Sequence, residues 1–231
     1  MASESAFNKR LTEETNMEKV EGLLEHLNLP PKAIDFVRKN KRAIQIALAI
    51  IIITVVSLSL YSSYRKGVVE EAASALSSAL QNNGEEKALS LTQVIKDYGN
   101  TTSAQWARIE LAHLDMKGGA YAAAGEKYIA ELEKLGDGDP LRALLLFGAG
   151  QALEAEKKYS AAVDQYNFLK EIKGYEHIGY AGLARIEEMQ GNLEKANTIY
   201  NNFLLNVGDD PSAAQARLDI EARIARLKAK M

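Results

Sequence analysis

The chain has 231 residues, a formal net charge of −3, and 26% charged residues of both signs, so it lacks the basic surplus on which nucleic-acid binding depends. It holds no cysteine, which excludes thiol chemistry, Cys-based metal sites and a lipid-modified N-terminal Cys, and is compatible with an oxidising compartment without requiring one. Ala, Leu, Glu and Lys are abundant, there are 4 prolines, and β-branched residues concentrate in one stretch; an all-α chain is the economical reading.

Residues 1 to 10 carry no periodic pattern, whereas Leu11, Val20, Leu23, Leu24 and Leu27 mark a short helix over about 12 to 28, ending before Pro30 and Pro31. It reads as a weakly ordered, membrane-proximal helix rather than a docking helix for a cytoplasmic partner. Pro31 can open the next helix. From there Ile34 and Val37 lead through Lys32, Arg38, Lys39, Lys41 and Arg42 into an apolar run from Ala43 to Leu60.

That run contains Ile50, Ile51, Ile52 and Ile53 in succession and no charge. As a helix it spans about 27 Å at about 1.5 Å per residue, close to the hydrocarbon thickness of a bilayer. Its Ile, Leu and Val residues favour insertion by about 5 kcal/mol in sum, against small costs from Gln45, Thr54, Ser57 and Ser59. A buried core helix would keep a polar face, and a cleaved signal peptide has a shorter apolar core and a shorter leading segment, so an uncleaved signal anchor fits best. Basic residues crowd the N-terminal flank, while Glu70 and Glu71 soon follow Arg65 and Lys66. The positive-inside rule therefore places the N-terminus in the cytoplasm and the C-terminal part across the inner membrane, in the periplasm. Tyr61 and Tyr64 stand where aromatic side chains anchor a helix at headgroups.

The resulting division is 1–42 cytoplasmic, 43–60 transmembrane, 61–66 juxtamembrane, 67–210 repeat domain and 211–231 capping helix. The repeat is carried by three trios: Tyr121, Ala124 and Tyr128; Tyr159, Ala162 and Tyr166; Leu193, Ala196 and Tyr200. The second follows the first by 38 residues at all three positions, and the third follows the second by 34. A period of about 34 is that of tetratricopeptide (TPR) helix-turn-helix repeats, here with one four-residue insertion. Alanine in the second helix lets the first approach closely, and aromatic side chains fill the space between hairpins. Small residues recur in the first helices at Ala112, Gly150 and Ala184. Turns fall at Gly118 and Gly119, at Lys157 and Lys158, and at Gly191 and Asn192. A degenerate hairpin precedes them, with Gly84 as its turn. Asp139-Pro140 and Asp210-Pro211 read as helix starts. The final helix, with Ile220, Ile224 and Leu227 as its apolar line, reads as a solvating cap.

One basic segment, one span and a TPR-like domain resemble the YfgM family, ancillary subunits of the SecYEG translocon. The resemblance covers about residues 33 to 206 and is closest in Ala107-Arg108-Ile109-Glu110-Leu111-Ala112, Tyr121 to Ala124, Ile172-Lys173-Gly174 and Gln190-Gly191-Asn192. The N-terminal segment and the C-terminal cap run longer than is usual in that family. The resemblance implies association with the translocon and with periplasmic chaperones, including the membrane-anchored peptidyl-prolyl isomerase. By themselves the residues indicate an anchored protein-binding scaffold; a TPR adaptor for envelope assembly or cell division is the alternative.

No enzyme signature accompanies this. His26, His113 and His177 stand apart, Asp137 and Asp139 lack the rest of a calcium loop, and Gly148-x-Gly150 lacks the strand that precedes a phosphate cradle. Asn100-Thr101-Thr102 spells a glycosylation acceptor but reads more simply as a helix entry. No catalytic residue, cofactor, metal or small-molecule substrate is therefore expected. Helical register places Trp106, Ile109, His113, Met116, Phe147, Gln151, Glu154, Arg185, Glu188 and Met189 on the concave face of the first helices as a protein-binding groove. Trp106 serves there as a binding anchor or packs between hairpins.

Overall fold

The computed structural model describes residues 32, 35, 36, 39–208 and 210–231; the expected helix over 12 to 28 and His26 lie outside them. Among the described residues there are nine α-helices and no strand. They are α1 (Lys41–Gln81), α2 (Gly84–Tyr98), α3 (Thr102–Lys117), α4 (Tyr121–Leu132), α5 (Arg142–Ala155), α6 (Tyr159–Lys170), α7 (Glu176–Met189), α8 (Leu193–Val207) and α9 (Ala214–Lys228). The chain divides into two compact units, 1–65 and 66–231.

In the first unit α1 carries an 18-residue window of mean hydropathy 2.6, none of it buried, which is long and apolar enough to cross a membrane. A core helix of a soluble domain would bury such a face, since stripping it from water is what stabilises the fold. The polar side chain of Thr54 is satisfied within the helix by the carbonyl of Ile50 at 2.8 Å. In the second unit the backbone is helical from Gly67 to Gln81, which forms the first helix of the degenerate hairpin.

In the second unit each helix packs on its successor from α2 onward, and the first helices of neighbouring hairpins touch, α3 with α5, α5 with α7, and α7 with α9. That is the connectivity of a hairpin solenoid. Ala112, Ala124, Ala162, Ala184 and Ala196 are buried at the helix crossings, and Tyr128, Tyr166 and Tyr200 are buried beside them. Tyr159 and Leu193 pack partly buried against the same clusters. The capping helix contributes Ile220, Ile224 and Leu227 to the last cluster, with Phe203 and Tyr200.

Three hairpins turn through the same backbone. Gly119, Lys157 and Gly191 all have positive φ, at 77°, 63° and 80°. The next amide in each, that of Ala120, Lys158 and Asn192, donates to the carbonyl five residues back, Asp115, Leu153 and Glu187, at 2.8 to 2.9 Å. These are the 6→1 bonds of a Schellman ending, which favours glycine at the left-handed position. Lys157 occupies it at a cost of about 1 kcal/mol. Lys157→Gly is expected to raise stability by several tenths of a kcal/mol, after subtracting the extra freedom glycine gives the unfolded chain, as read from denaturant midpoints.

Two boundaries differ from the sequence reading. α5 begins at Arg142, because Asp139 closes a turn of its own by accepting the Leu141 amide at 2.8 Å. Pro211–Ala213 form a 3₁₀ turn, with Asp210 accepting the Ser212 amide, so α9 starts at Ala214. Thr101 caps α3 by accepting the Ala104 amide at 3.2 Å, which gives the Asn100-Thr101-Thr102 sequence a structural role.

Candidate protein-binding groove

The first helices bring six of the ten register-predicted residues to two adjoining cavities. One, of about 390 Å³, is lined by Met116, Tyr121, Gln151, Glu154, Ala155, Arg185 and Met189. The other, of about 330 Å³, is lined by Phe147, Gln151, His177, Ile178, Ala181, Arg185, Asp219, Ile220 and Arg223. Gln151 and Arg185 belong to both, so the two form one run along the faces of α3, α5, α7 and α9. Tyr121, expected to serve hairpin packing, instead stands at the rim, and Met189 is 52% exposed beside it.

The other four lie elsewhere. Ile109 is 1% exposed and sits in the core with Ala112, Tyr128 and Leu145, so it offers nothing to a partner. Trp106 is exposed but lines neither cavity. His113 pairs with Glu110 at 3.3 Å and tilts against the ring of Tyr128. Glu188 accepts the Tyr200 hydroxyl at 3.1 Å and pairs with Lys230 at 3.3 Å.

The charges at the centre of the groove, Glu154 and Arg185, satisfy one another. Arg185 of α7 grips Glu154 of α5 with two bonds, Nε to Oε1 at 2.6 Å and Nη2 to Oε2 at 2.7 Å. Tyr166 of α6 closes the triangle: its hydroxyl donates to Glu154 at 2.8 Å and accepts from Arg185 at 2.9 Å. Such a fork fits a guanidinium to a carboxylate in fixed geometry. The bond to Glu154 holds the Arg185 guanidinium even more firmly charged, and burial pushes the Tyr166 hydroxyl well above its usual range.

Two sides of this triangle recur in the next hairpin. Twelve residues separate Glu154 from Tyr166 and also Glu188 from Tyr200, and Arg223 of α9 bonds the Tyr200 hydroxyl as Arg185 bonds that of Tyr166. One hairpin earlier the equivalent positions are Met116, Tyr128 and Gln151, an uncharged version of the joint. Burial, followed by the charges of Glu110 and Asp115, pushes Tyr128 up to about 12. Burial favours the neutral form of Glu110, but bonds from Lys87 and His113 outweigh it and hold its carboxyl below the usual range.

Arg185 and Glu154 are therefore joints of the scaffold as well as lining, which register alone did not reveal. The repeated Glu-to-Tyr spacing was the available signal. Among the described residues no three His, Asp or Glu side chains gather as a metal site requires. No known family model matches the chain, and no curated protein matches it.

Proposed function

We propose that the chain is a membrane-anchored, TPR-like scaffold that binds other proteins along the groove of its first helices. One observation carries this reading: the groove presents Met116, Tyr121, Phe147 and Met189 beside an ion pair, Arg185 with Glu154, that is already internally matched. A surface of flexible thioethers and aromatic rings around a matched central ion pair suits uncharged, apolar segments of varied sequence. Resemblance to the YfgM family extends this reading to an ancillary translocon subunit. In that reading the span meets SecYEG in the inner membrane, and the periplasmic domain receives chaperones or emerging secretory chains.

Photo-crosslinking of the full chain in native membranes tests this, with probes at Ser57 in the span and at Phe147 and Met189 in the groove. Ser57 is expected to capture translocon subunits, and the groove probes a chaperone or a secretory chain. A probe at Leu205, on the second helix of its hairpin, should capture at most a tenth as much, given how binding energy concentrates in buried anchors. Equal capture from Leu205 and the groove would discard the groove. Capture of division or outer-membrane assembly proteins would keep the scaffold and discard the translocon.

A further inference from the structure

Helix α9 buries Ile220, Ile224 and Leu227 against the last hairpin, yet its opposite face is also apolar. Ala214, Leu218, Ala222, Ala225 and Ala229 recur at spacings of three and four and are all exposed, Leu218 by 60%. A cap that only solvates the end of a solenoid carries polar residues there. The flanks add a second pattern: Asp219 and Glu221 lie toward the N-terminal half, Lys228 and Lys230 toward the C-terminal end.

We propose that this face pairs with the same face of a second copy of the chain, antiparallel. In a two-fold antiparallel pair each flank meets the same flank of the other helix, as in antiparallel coiled coils. Glu221 and Lys228 share one flank; Asp219 and Lys230 share the other. Both couples are centred on the same point, between Ile224 and Ala225; the part of the apolar stripe from Leu218 to Ala229 is centred within a residue of it, and Ala214 falls outside the overlap. One arrangement thus sets Glu221 opposite Lys228 of the second copy and Asp219 opposite its Lys230, with the alanines in close contact. A parallel pair would oppose like charges along its length, which is unfavourable. Lys230 also reaches Glu188 of its own chain at 3.3 Å, and Arg226 lies a turn from the Asp219 of the second copy.

One face of a 15-residue helix buries less than the roughly 1,200 Å² of a stable interface. The pair therefore forms where copies are held at high local concentration, which the membrane anchor proposed above would provide. Sedimentation of the chain with membranes tests that anchor separately.

The chain holds no cysteine, so single introduced thiols report without background. In full chain in membranes under mild oxidant, Ala225→Cys, next to the midpoint, is expected to form disulfide-linked pairs roughly tenfold more than Leu205→Cys. Leu218→Cys and Ala229→Cys should each fail alone and cross-link when the two are mixed. Linkage of all three singly would mean parallel pairing, and linkage of none above the Leu205→Cys level would mean another occupant; either overturns the proposal. Charge exchange gives a second reading through the Ala225→Cys thiol. Copies with Asp219→Lys and Glu221→Lys, or with Lys228→Glu and Lys230→Glu, should stop self-pairing, and a mixture of the two should pair with each other. Unchanged self-pairing in either set would also overturn it.

Discussion

Arg185→Ala lowers the stability of the repeat domain by about 3 kcal/mol, the low end of the range for breaking a buried ion pair. The loss comes mainly from what remains behind: Glu154 is 8% exposed and loses both bonds of the fork, while Tyr166 loses the donor to its hydroxyl. Arg185 itself keeps about a third of its side chain in water (34%), which is why the upper end does not apply. For a domain of this size the change is roughly 6 to 12 °C in Tm, measured on the full chain in detergent. Arg185→Lys recovers only part of it, because a point charge cannot make the fork. The protein supplies its own control, since the preceding joint replaces the same pair by Met116 and Gln151. Glu154→Met combined with Arg185→Gln is therefore expected to stand within about 1 kcal/mol of the parent, because a buried pair replaced as a unit costs far less than one broken. A double variant as unstable as Arg185→Ala alone would show that the triangle is not a separable joint. For the same reason, a change of partner binding on altering Arg185 does not identify a groove contact unless Tm is unchanged.

The parts legible in the sequence were those written in local pattern. The apolar run needs only composition, and the hairpins announce themselves because Ala124, Ala162 and Ala196 must be small wherever two helices cross. Ile109 shows where that stops. It lies three residues before buried Ala112 and four before half-exposed His113, so helical spacing assigns it equally to either face. Leu145 of the next hairpin decides the matter, and contact across hairpins is not carried by spacing within one helix. Tyr121 fails the same way in reverse: it matches Tyr159 in the trio, but it sits beside Met116 and Met189 at an opening rather than against a covered surface. In the capping helix the sequence marks the buried line Ile220, Ile224 and Leu227, whereas its outer alanines gain meaning only from their exposure.

Glycines in the first helices held the signal most easily passed over. Gly148 and Gly150 sit where an added Cβ would come within 2.8 Å of the Tyr128 ring and 2.7 Å of the Tyr166 ring, and Gly182 within 2.5 Å of Tyr166 from the other side. The ring of Tyr166 thus lies in a slot between α5 and α7, a side-chain contact that can shift. Gly179 differs in kind. A Cβ there would stand 2.5 Å from the backbone nitrogen of Lys170 and 2.7 Å from its Cα, where α7 passes the end of α6. Backbone held by the hydrogen bonds of α6 cannot rotate away, so the two helices must separate.

Gly179→Ala is accordingly expected to cost about 3 kcal/mol net, the clash exceeding the roughly 1 kcal/mol that alanine contributes to helix propensity. Two companions isolate the cause. Gly67→Ala, mid-helix with nothing within 4 Å of the new Cβ, should gain up to about 1 kcal/mol from propensity alone. Gly182→Ala should be destabilising in the parent but much less so beside Tyr166→Leu, which removes the ring it strikes. No side-chain change rescues Gly179→Ala, because the obstructing atoms belong to the main chain. Thermal unfolding of the set in one detergent decides it: a Gly179→Ala chain as stable as Gly67→Ala would mean that α6 and α7 do not pack this closely. With α7 displaced, Arg185 would also move away from Glu154, so the same substitution should weaken capture by the groove probes at Phe147 and Met189 while leaving the probe at Ser57 unaffected.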